Sequence, residues 1–232
     1  MNAYFIAGTD TGVGKTLVTA AIAAALSGSG RSVGVMKPCE SGCAEVAGEL
    51  EPRDAIFLRA MSGCGDPLDS VCPYRLRAAL APGVAAPLEG RVIDPGRIQE
   101  LFSDCRRRHD IVLAEGAGGL LVPVTGSLLT IDLVRLLAAP LIIVGRLSLG
   151  AINHMLLTLR EAERAGVEIA GFILNQTSPG HGLAEQTNPG VIGRFTALPL
   201  LGIMPYVPEH QRASRAALAD IARQHLAAAL FA

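Results

Sequence analysis

The sequence predicts an α/β protein with a mostly parallel sheet and helices on both faces. Short apolar runs alternate with helix-like stretches, and a glycine-rich turn joins the first run to the first helix. Polar residues close several of the runs. The strand-like runs fall at residues 3–8, 32–37, 110–115, 140–145, 168–175 and 200–204. They are continuous rather than alternating, as suits strands covered on both sides. Helices are expected over residues 17–26 and 52–61. Another fits residues 150–165, where Ile152, Met155, Leu156 and Leu159 share a stripe. The last covers residues 212–230, with Leu218, Ile221, Ala222, His225 and Leu226 on one face. Residues 63–95, rich in Gly, Pro and Ala, are read as an excursion over the surface. Arg106-Arg107-Arg108 is read as a solvated helix end.

Bulk properties narrow the function classes. The 232 residues fit one domain, 1–232, and half of them are hydrophobic, enough for a sizeable core. A net charge of −1 gives no reason to expect nucleic acid. Charges, Gly or Pro interrupt each apolar stretch before the ~18 residues a membrane span needs. The chain enters a strand at once, so no signal peptide is expected. Cys39, Cys43, Cys64, Cys72 and Cys105 contain no C-x-x-C, and reduced thiols in the cytoplasm are the plainer reading.

Residues 8–16 read Gly-Thr-Asp-Thr-Gly-Val-Gly-Lys-Thr between a strand and a helix. Glycines let successive N–H groups turn toward one anion, and the helix start adds its free donors. Lys15 reaches outer phosphates and the Thr16 hydroxyl suits a hard cation. The loop is a variant: Thr9 stands where the usual spacing has glycine, and Gly8 comes one residue earlier. The fold expected is therefore the P-loop nucleotide-binding one, with ligands at the carboxyl ends of the strands. There the residues at 9–16, Lys37, Glu115 and Asn175 should lie along one edge.

Further stretches add chemistry: Lys37-Pro-Cys-Glu-Ser-Gly, Asp54 in the second helix, Glu115-Gly-Ala-Gly-Gly after a strand, and Leu149-Gly-Ala-Ile-Asn-His. With the loop, and with Asn175, Gly202 and Pro205, this ordered set resembles dethiobiotin synthetase over nearly the whole chain. The resemblance implies ATP- and Mg²⁺-dependent joining of CO₂ to the two amines of 7,8-diaminononanoate, closing a cyclic urea in biotin synthesis. A carbamate and a carbamic–phosphoric anhydride would be its intermediates. Every stage gathers negative charge, and Lys15 and Lys37 are the chain's two lysines.

By similarity, Lys37, Lys15 and Thr11 are catalytic, and Thr11, Lys37 and Ser41 face the amines and carbamate. Lys37 is expected to act on the carbamate and γ-phosphate and not in the core, so replacing it should stop turnover without unfolding the chain. Gly12, Val13, Gly14, Lys15, Thr16 and Leu17 hold the nucleotide's phosphates. Gly116, Ala117 and Gly118 offer backbone N–H groups to phosphates and carbamate. Asn175, Gln176, Met204, Pro205 and Tyr206 hold adenine. Thr16, Asp54 and Glu115 supply Mg²⁺ ligands. Leu149, Gly150, Ala151 and Asn153 open a helix whose N-terminus would bind the substrate carboxylate in the other subunit of a homodimer.

There are departures too. Ala81-Pro82-Gly83 stands where the family often has Ser-Pro-His. No aromatic match is found near residues 184–186, and residues beyond Gln176 in the 176–195 stretch are given no role. Cys39 and Glu40 are read as free to vary. Three other readings compete. A switch ATPase of the partition or septum-site group would carry a second lysine where Asp10 stands. A glutaminase-coupled ligase would need a Cys–His site that finds no space. A binding module without chemistry would leave Lys37, Ser41 and Glu115 unexplained.

Overall fold

The computed structural model describes residues 2–180 and 182–231. Strand β1 (Ala3–Gly8) runs through the glycine-rich loop into helix α1 (Lys15–Gly28), then β2 (Val33–Met36) and β3 (Cys39–Ser41). A hairpin of β4 (Ala44–Val46) and β5 (Glu49–Glu51) leads to α2 (Arg53–Ser62), α3 (Leu68–Val71), β6 (Tyr74–Leu76), α4 (Pro82–Leu88) and α5 (Pro95–Arg108). Then follow β7 (Ile111–Gly119), α6 (Thr130–Leu137), β8 (Leu141–Arg146), α7 (Ala151–Arg164), β9 (Ile169–Asn175) and α8 (Leu183–Gly193). The described chain ends with β10 (Leu200–Met204), α9 (Glu209–Arg212), α10 (Arg215–His225) and a 3₁₀ turn at Ala228–Leu230.

The main sheet has the order β10-β9-β8-β1-β7-β2, and each of its pairings is parallel. Strand alternation sorts the core into two halves. Phe5, Val112, Ala114, Ile143, Phe172 and Leu174 pack on one face, with Phe102, Leu133, Leu159 and Ile192 from the helices there. Ile6, Val35, Leu113, Ile142, Val144 and Ile173 pack on the other, with α1, Leu58 and Leu218. Helix α1 is apolar nearly all round, buried from Val18 to Leu26, as a helix wedged between the sheet, α2 and α10 must be. Its alanines let those neighbours approach closely.

The structure differs from the sequence reading in places. β7 does not stop at Glu115 but continues to Gly119, whose partner is Gly8. The helix expected over residues 212–230 is broken at Ser214, whose hydroxyl accepts from the Ala217 N–H and caps α10. Residues 63–95 are more than a surface excursion. β6 pairs with β3, the Val71 carbonyl accepts from the Lys37 N–H, and Val71, Cys72, Leu76, Ala85 and Ile93 are buried. Nor is Glu40 free to vary. It is buried, and its two carboxylate oxygens accept from the N–H groups of Asp54 and Ala55 at 2.9 and 3.0 Å. A residue fourteen positions away thus caps the first turn of α2, whose own N-cap, Pro52, makes no side-chain bond.

Glu40→Ala should therefore cost about 1–2 kcal/mol in urea unfolding, the range of a lost helix cap. Glu40→Gln, which keeps one acceptor, should cost less. Equal stability of Glu40→Ala and the unaltered chain would contradict this.

Candidate active site

The loop after β1 wraps the start of α1, and its shape explains the displaced glycine. A Cβ on Gly8 would fall 2.8 Å from the Asp10 carbonyl and 2.9 Å from Lys15 Nζ. The lysine folds back over this spot and donates to the Asp10 carbonyl at 3.1 Å. Thr9 takes no left-handed conformation, and its N–H is tied to the Val144 carbonyl. Gly12 and Gly14 do take positive φ, 73° and 89°. The Asn175 amide lies against Gly14, where a Cβ would collide with it, and its Nδ2 donates to the Val13 carbonyl at 2.8 Å.

Register brings the next groups together. Met36 of β2 pairs with Ala114 of β7, so the residues that follow, Lys37 and Glu115, emerge side by side. Lys37 Nζ lies 2.5 Å from Glu115 Oε1 and 3.0 Å from Asp54 Oδ2. Thr16 Oγ1 donates to Glu115 Oε1 at 2.8 Å. Lys37 is 3% exposed and Glu115 is fully buried. Burial alone would favour the neutral amine, but the two carboxylates outweigh it and hold the Lys37 proton well above the ordinary lysine range. Burial likewise opposes ionisation of Asp54, yet the charge of Lys37, with hydrogen bonds from Lys37 and Thr16, leaves its carboxyl below its usual value. Lys15 goes the other way. Burial, then the like charge of Lys37, lowers it to about 8 despite Glu115 and Asp54.

Lys15, Thr16, Lys37 and Asp54 border a cavity of about 550 Å³, and Glu115 lies behind Lys37 and Thr16, outside its lining. Thr11, Gly12, Gly14, Lys15 and Thr16 form one wall, Lys37, Ser41 and Asp54 another, and Ala117 and Gly118 of β7 a third. Cys39, with its thiol pushed up to about 12 by burial, and Glu40 lie beneath. Ala79 to Pro82 also border it; the sequence reading took residues 81–83 as a departure from the family pattern, in a loop that contacts substrate differently, and gave Ala79 and Leu80 no role. The signal was there in Ala81-Pro82-Gly83: Gly83 docks its N–H on the Pro123 carbonyl, and a Cβ there would sit 2.8 Å from the Thr125 carbonyl. The cluster of Thr16, Asp54 and the Glu115 behind them fits a hard divalent cation. Among the described residues, Glu115 Oε2 is buried without a hydrogen-bond partner, and Thr16 Oγ1 and Asp54 offer further oxygens beside it.

The remaining expected residues lie elsewhere. Val13 and Leu17 pack into the core beside the loop, and Gly116 is buried under Phe5 and Thr130. Asn175 and Gln176 end β9 behind the loop, beside β10. The Gln176 N–H donates to the Met204 carbonyl, Pro205 and Tyr206 follow, and Asn175 Oδ1 is buried without a partner among the described residues. Leu149, Gly150, Ala151 and Asn153 stand at the start of α7 and do not border the cavity. Gly150 has φ 90° there, and Leu149 is exposed.

A family model described as an AAA domain matches residues 2–214. Among solved structures, the septum site-determining protein MinD complexed with Mg-ADP from Pyrococcus horikoshii aligns with a TM-score of 0.57 at 18% identity. That alignment covers 96% of this chain and 95% of the other. A ParA family ATPase from Chlorobium tepidum gives 0.58 at 15% identity, covering 96% and 92%. Likeness at this identity carries the fold alone. Sequence similarity is much closer to the ATP-dependent dethiobiotin synthetase BioD of Anaeromyxobacter sp. (strain K), 42% identical over 93% of this chain and 95% of that one. The protein of the same name from Thermodesulfovibrio yellowstonii is 40% identical over 89% of each, and that from Bacillus subtilis 38% identical over 88% and 87%. Identity of this order, sustained end to end, reflects common descent: the chain belongs to the dethiobiotin synthetase family.

Proposed function

We propose that this chain is an ATP-dependent dethiobiotin synthetase, a cyclo-ligase that joins CO₂ to both amines of 7,8-diaminononanoate. The observation that carries the reading is that both of the chain's lysines, Lys15 and Lys37, are buried in the walls of one cavity, beside two carboxylates and a phosphate-type loop. Such a site is built to gather anions at one point and neutralise them. We further read residues 1–232 as one domain acting in the cytoplasm as a homodimer. Among the described residues no helix is long and apolar enough to cross a membrane.

In this mechanism one substrate amine adds to CO₂, losing a proton, and leaves a carbamate anion. Lys37 and the hydroxyls of Thr11 and Ser41 hold that anion against the Ala117–Gly118 backbone. A carbamate oxygen then attacks the γ-phosphorus of ATP and ADP departs. Lys15 and the loop N–H groups, with Gly12 and Gly14 setting their direction, stabilise the charge that builds on the phosphoryl oxygens. The second amine attacks the carbonyl carbon of the anhydride, phosphate leaves with the C–O electrons, and the ring closes. Thr16, Asp54 and Glu115 would hold Mg²⁺, which when bound neutralises phosphate charge. Asn175, whose free Oδ1 can accept from an exocyclic amine, and Gln176, Met204, Pro205 and Tyr206 would hold adenine. Leu149, Gly150, Ala151 and Asn153 would receive the substrate carboxylate across the dimer at the start of α7.

The deciding assay is phosphate release from Mg²⁺–ATP with bicarbonate, with and without 7,8-diaminononanoate. Release should require the diamine and yield a cyclic urea by mass; release that ignores the diamine would point to the switch-ATPase reading.

Two variations probe the charges. Lys37→Gln should abolish turnover, and the burial of Lys37 adds what the sequence did not foresee, a cost in stability. Stranding Glu115 should cost about 3–5 kcal/mol, the range for breaking a buried pair. A raised lysine pKa contributes stability that is fully present below the unfolded value of ~10.5 and is lost only as pH climbs through the folded one. The loss in Lys37→Gln should therefore be complete at neutral pH, and Mg²⁺ should raise the melting temperature of the variant more than that of the unaltered chain. A variant as stable as its parent would contradict the pairing.

Lys15, lowered to about 8, should make kcat/KM for ATP fall about tenfold per pH unit above that value, because it is the free protein that must capture the triphosphate. A profile flat to pH ~9.5 would remove its charge from that step.

A further inference from the structure

At the opposite, amino-terminal edge of the sheet, four elements converge on a second cluster that the proposed reaction does not use. α2 ends at Gly63, with φ 72°, and the chain passes through Cys64 to Asp66. α5 ends in Cys105-Arg106-Arg107-Arg108-His109, which places Cys105 and His109 one turn apart. Ser32 leads into β2, and Asp110 leads into β7. Roughly 15 Å of strand separates this edge from the phosphate loop.

The donor atoms of Cys64, Asp66 and His109 all lie within 4.8 Å of one another. His109 Nε2 is 3.2 Å from Asp66 Oδ2 and 3.9 Å from Cys64 Sγ. Ligands of a tetrahedral zinc ion stand roughly 3.3–3.8 Å apart, from bond lengths of about 2.0–2.3 Å, so the three atoms are already near the corners of such a site. Their supports are also in place. Ser32 Oγ is 2.8 Å from His109 Nδ1, and Ser32 is itself held by its N–H on Asp110 Oδ2 at 2.8 Å. That contact fixes the ring and can take the Nδ1 proton, leaving the Nε2 lone pair for a cation. Arg108 holds both oxygens of Asp66, its Nη2 at 2.7 Å from Oδ2, the oxygen that faces His109, and its Nε at 3.3 Å from Oδ1, and the Ser62 hydroxyl accepts from the Cys64 N–H. The floor is dry: Cys105 and the His109 ring press on Gly34 so closely that a Cβ there would fall 2.5 Å from the sulfur and 2.7 Å from the ring. Cys64 is buried, while His109 and Asp66 keep about a tenth of their side-chain surface open to solvent.

We propose that Cys64, Asp66 and His109 form a binding site for a borderline divalent cation of the zinc class, with water in the fourth position. A sulfur, a nitrogen and one carboxylate oxygen select such an ion over Mg²⁺ or Ca²⁺, which take oxygen sets. On binding, the Cys64 thiol gives its proton to solvent, so that thiolate and carboxylate both face the ion while Arg108 stays paired with Asp66. The site ties the C-terminal ends of α2 and α5 to the start of β2, and it is independent of the ATP chemistry proposed above.

The test is titration of the chelator-treated, full-length protein with cobalt(II), and then with zinc, in the absence of nucleotide. About one equivalent of cobalt per chain should give a thiolate-to-cobalt charge-transfer band and the intense visible bands of a four-coordinate ion. An ion held by the oxygens of Thr16, Asp54 and Glu115 gives no thiolate band, so the two sites are separable. The band should vanish in Cys64→Ser and persist in Cys43→Ser. Affinity should fall about 10-fold or more in Ser32→Ala, as for other outer-shell losses. Zinc should raise the melting temperature of the parent and not that of His109→Gln, a second variant that leaves Cys64 in place if Cys64→Ser does not fold. No thiolate band at excess cobalt, a band unchanged in Cys64→Ser, or equal zinc stabilisation of His109→Gln would overturn the proposal.

Discussion

One buried ammonium between two carboxylates sets the terms for the rest of the molecule. Glu115 is fully buried at the level where β7 passes β1 and β2, and a carboxylate so placed needs a cation beside it. The parallel register supplies one, because Lys37 follows Met36 as Glu115 follows Ala114. Asp54 then ties α2 to the pair, Glu40 ties the start of α2 back to β3, and Thr16 ties α1 to the same carboxylate. Loop, sheet and both helices thus meet at one electrostatic knot. Moving any of these elements would separate charges in a medium where separation is costly.

Much of this was legible along the chain because it depends on local pattern. Six apolar runs became the six strands of the main sheet, and the loop announced itself through Gly12, Gly14, Lys15 and Thr16. What escaped depends on pairing between distant segments. The β3–β6 ladder joins Cys39 to Tyr74, and nothing in the Gly-, Pro- and Ala-rich stretch around β6 declares a partner so far off. Glu40 looked dispensable because its partners, the N–H groups of Asp54 and Ala55, belong to a helix that starts thirteen residues later. The break at Ser214 was hidden by an apolar stripe that runs on with helical spacing after the backbone has turned.

The comparisons separate two kinds of likeness. Chains that align with TM-scores near 0.57 at 18% identity share the fold alone. Chains at about 40% identity over nine-tenths of their length show the family. Asp10 is part of what holds the turn in this chain. It sits at the start of the loop, where its side chain accepts from the Thr11 N–H and its carbonyl accepts from Lys15, so an acid stabilises this turn from within.

That arrangement has a further consequence. With Lys15 lying across Gly8 and bonded to the Asp10 carbonyl, the loop is held in its wrapped form by its own side chain. In the proposed nucleotide-binding role, an incoming phosphate oxygen would replace a carbonyl as the partner of the ammonium, leaving the backbone around it little to organise. The entropy of ordering the turn is met when the chain folds and not when nucleotide arrives, so more of the contact energy is expressed as affinity. A glycine displaced by one residue is thus the mark of a preorganised receptor.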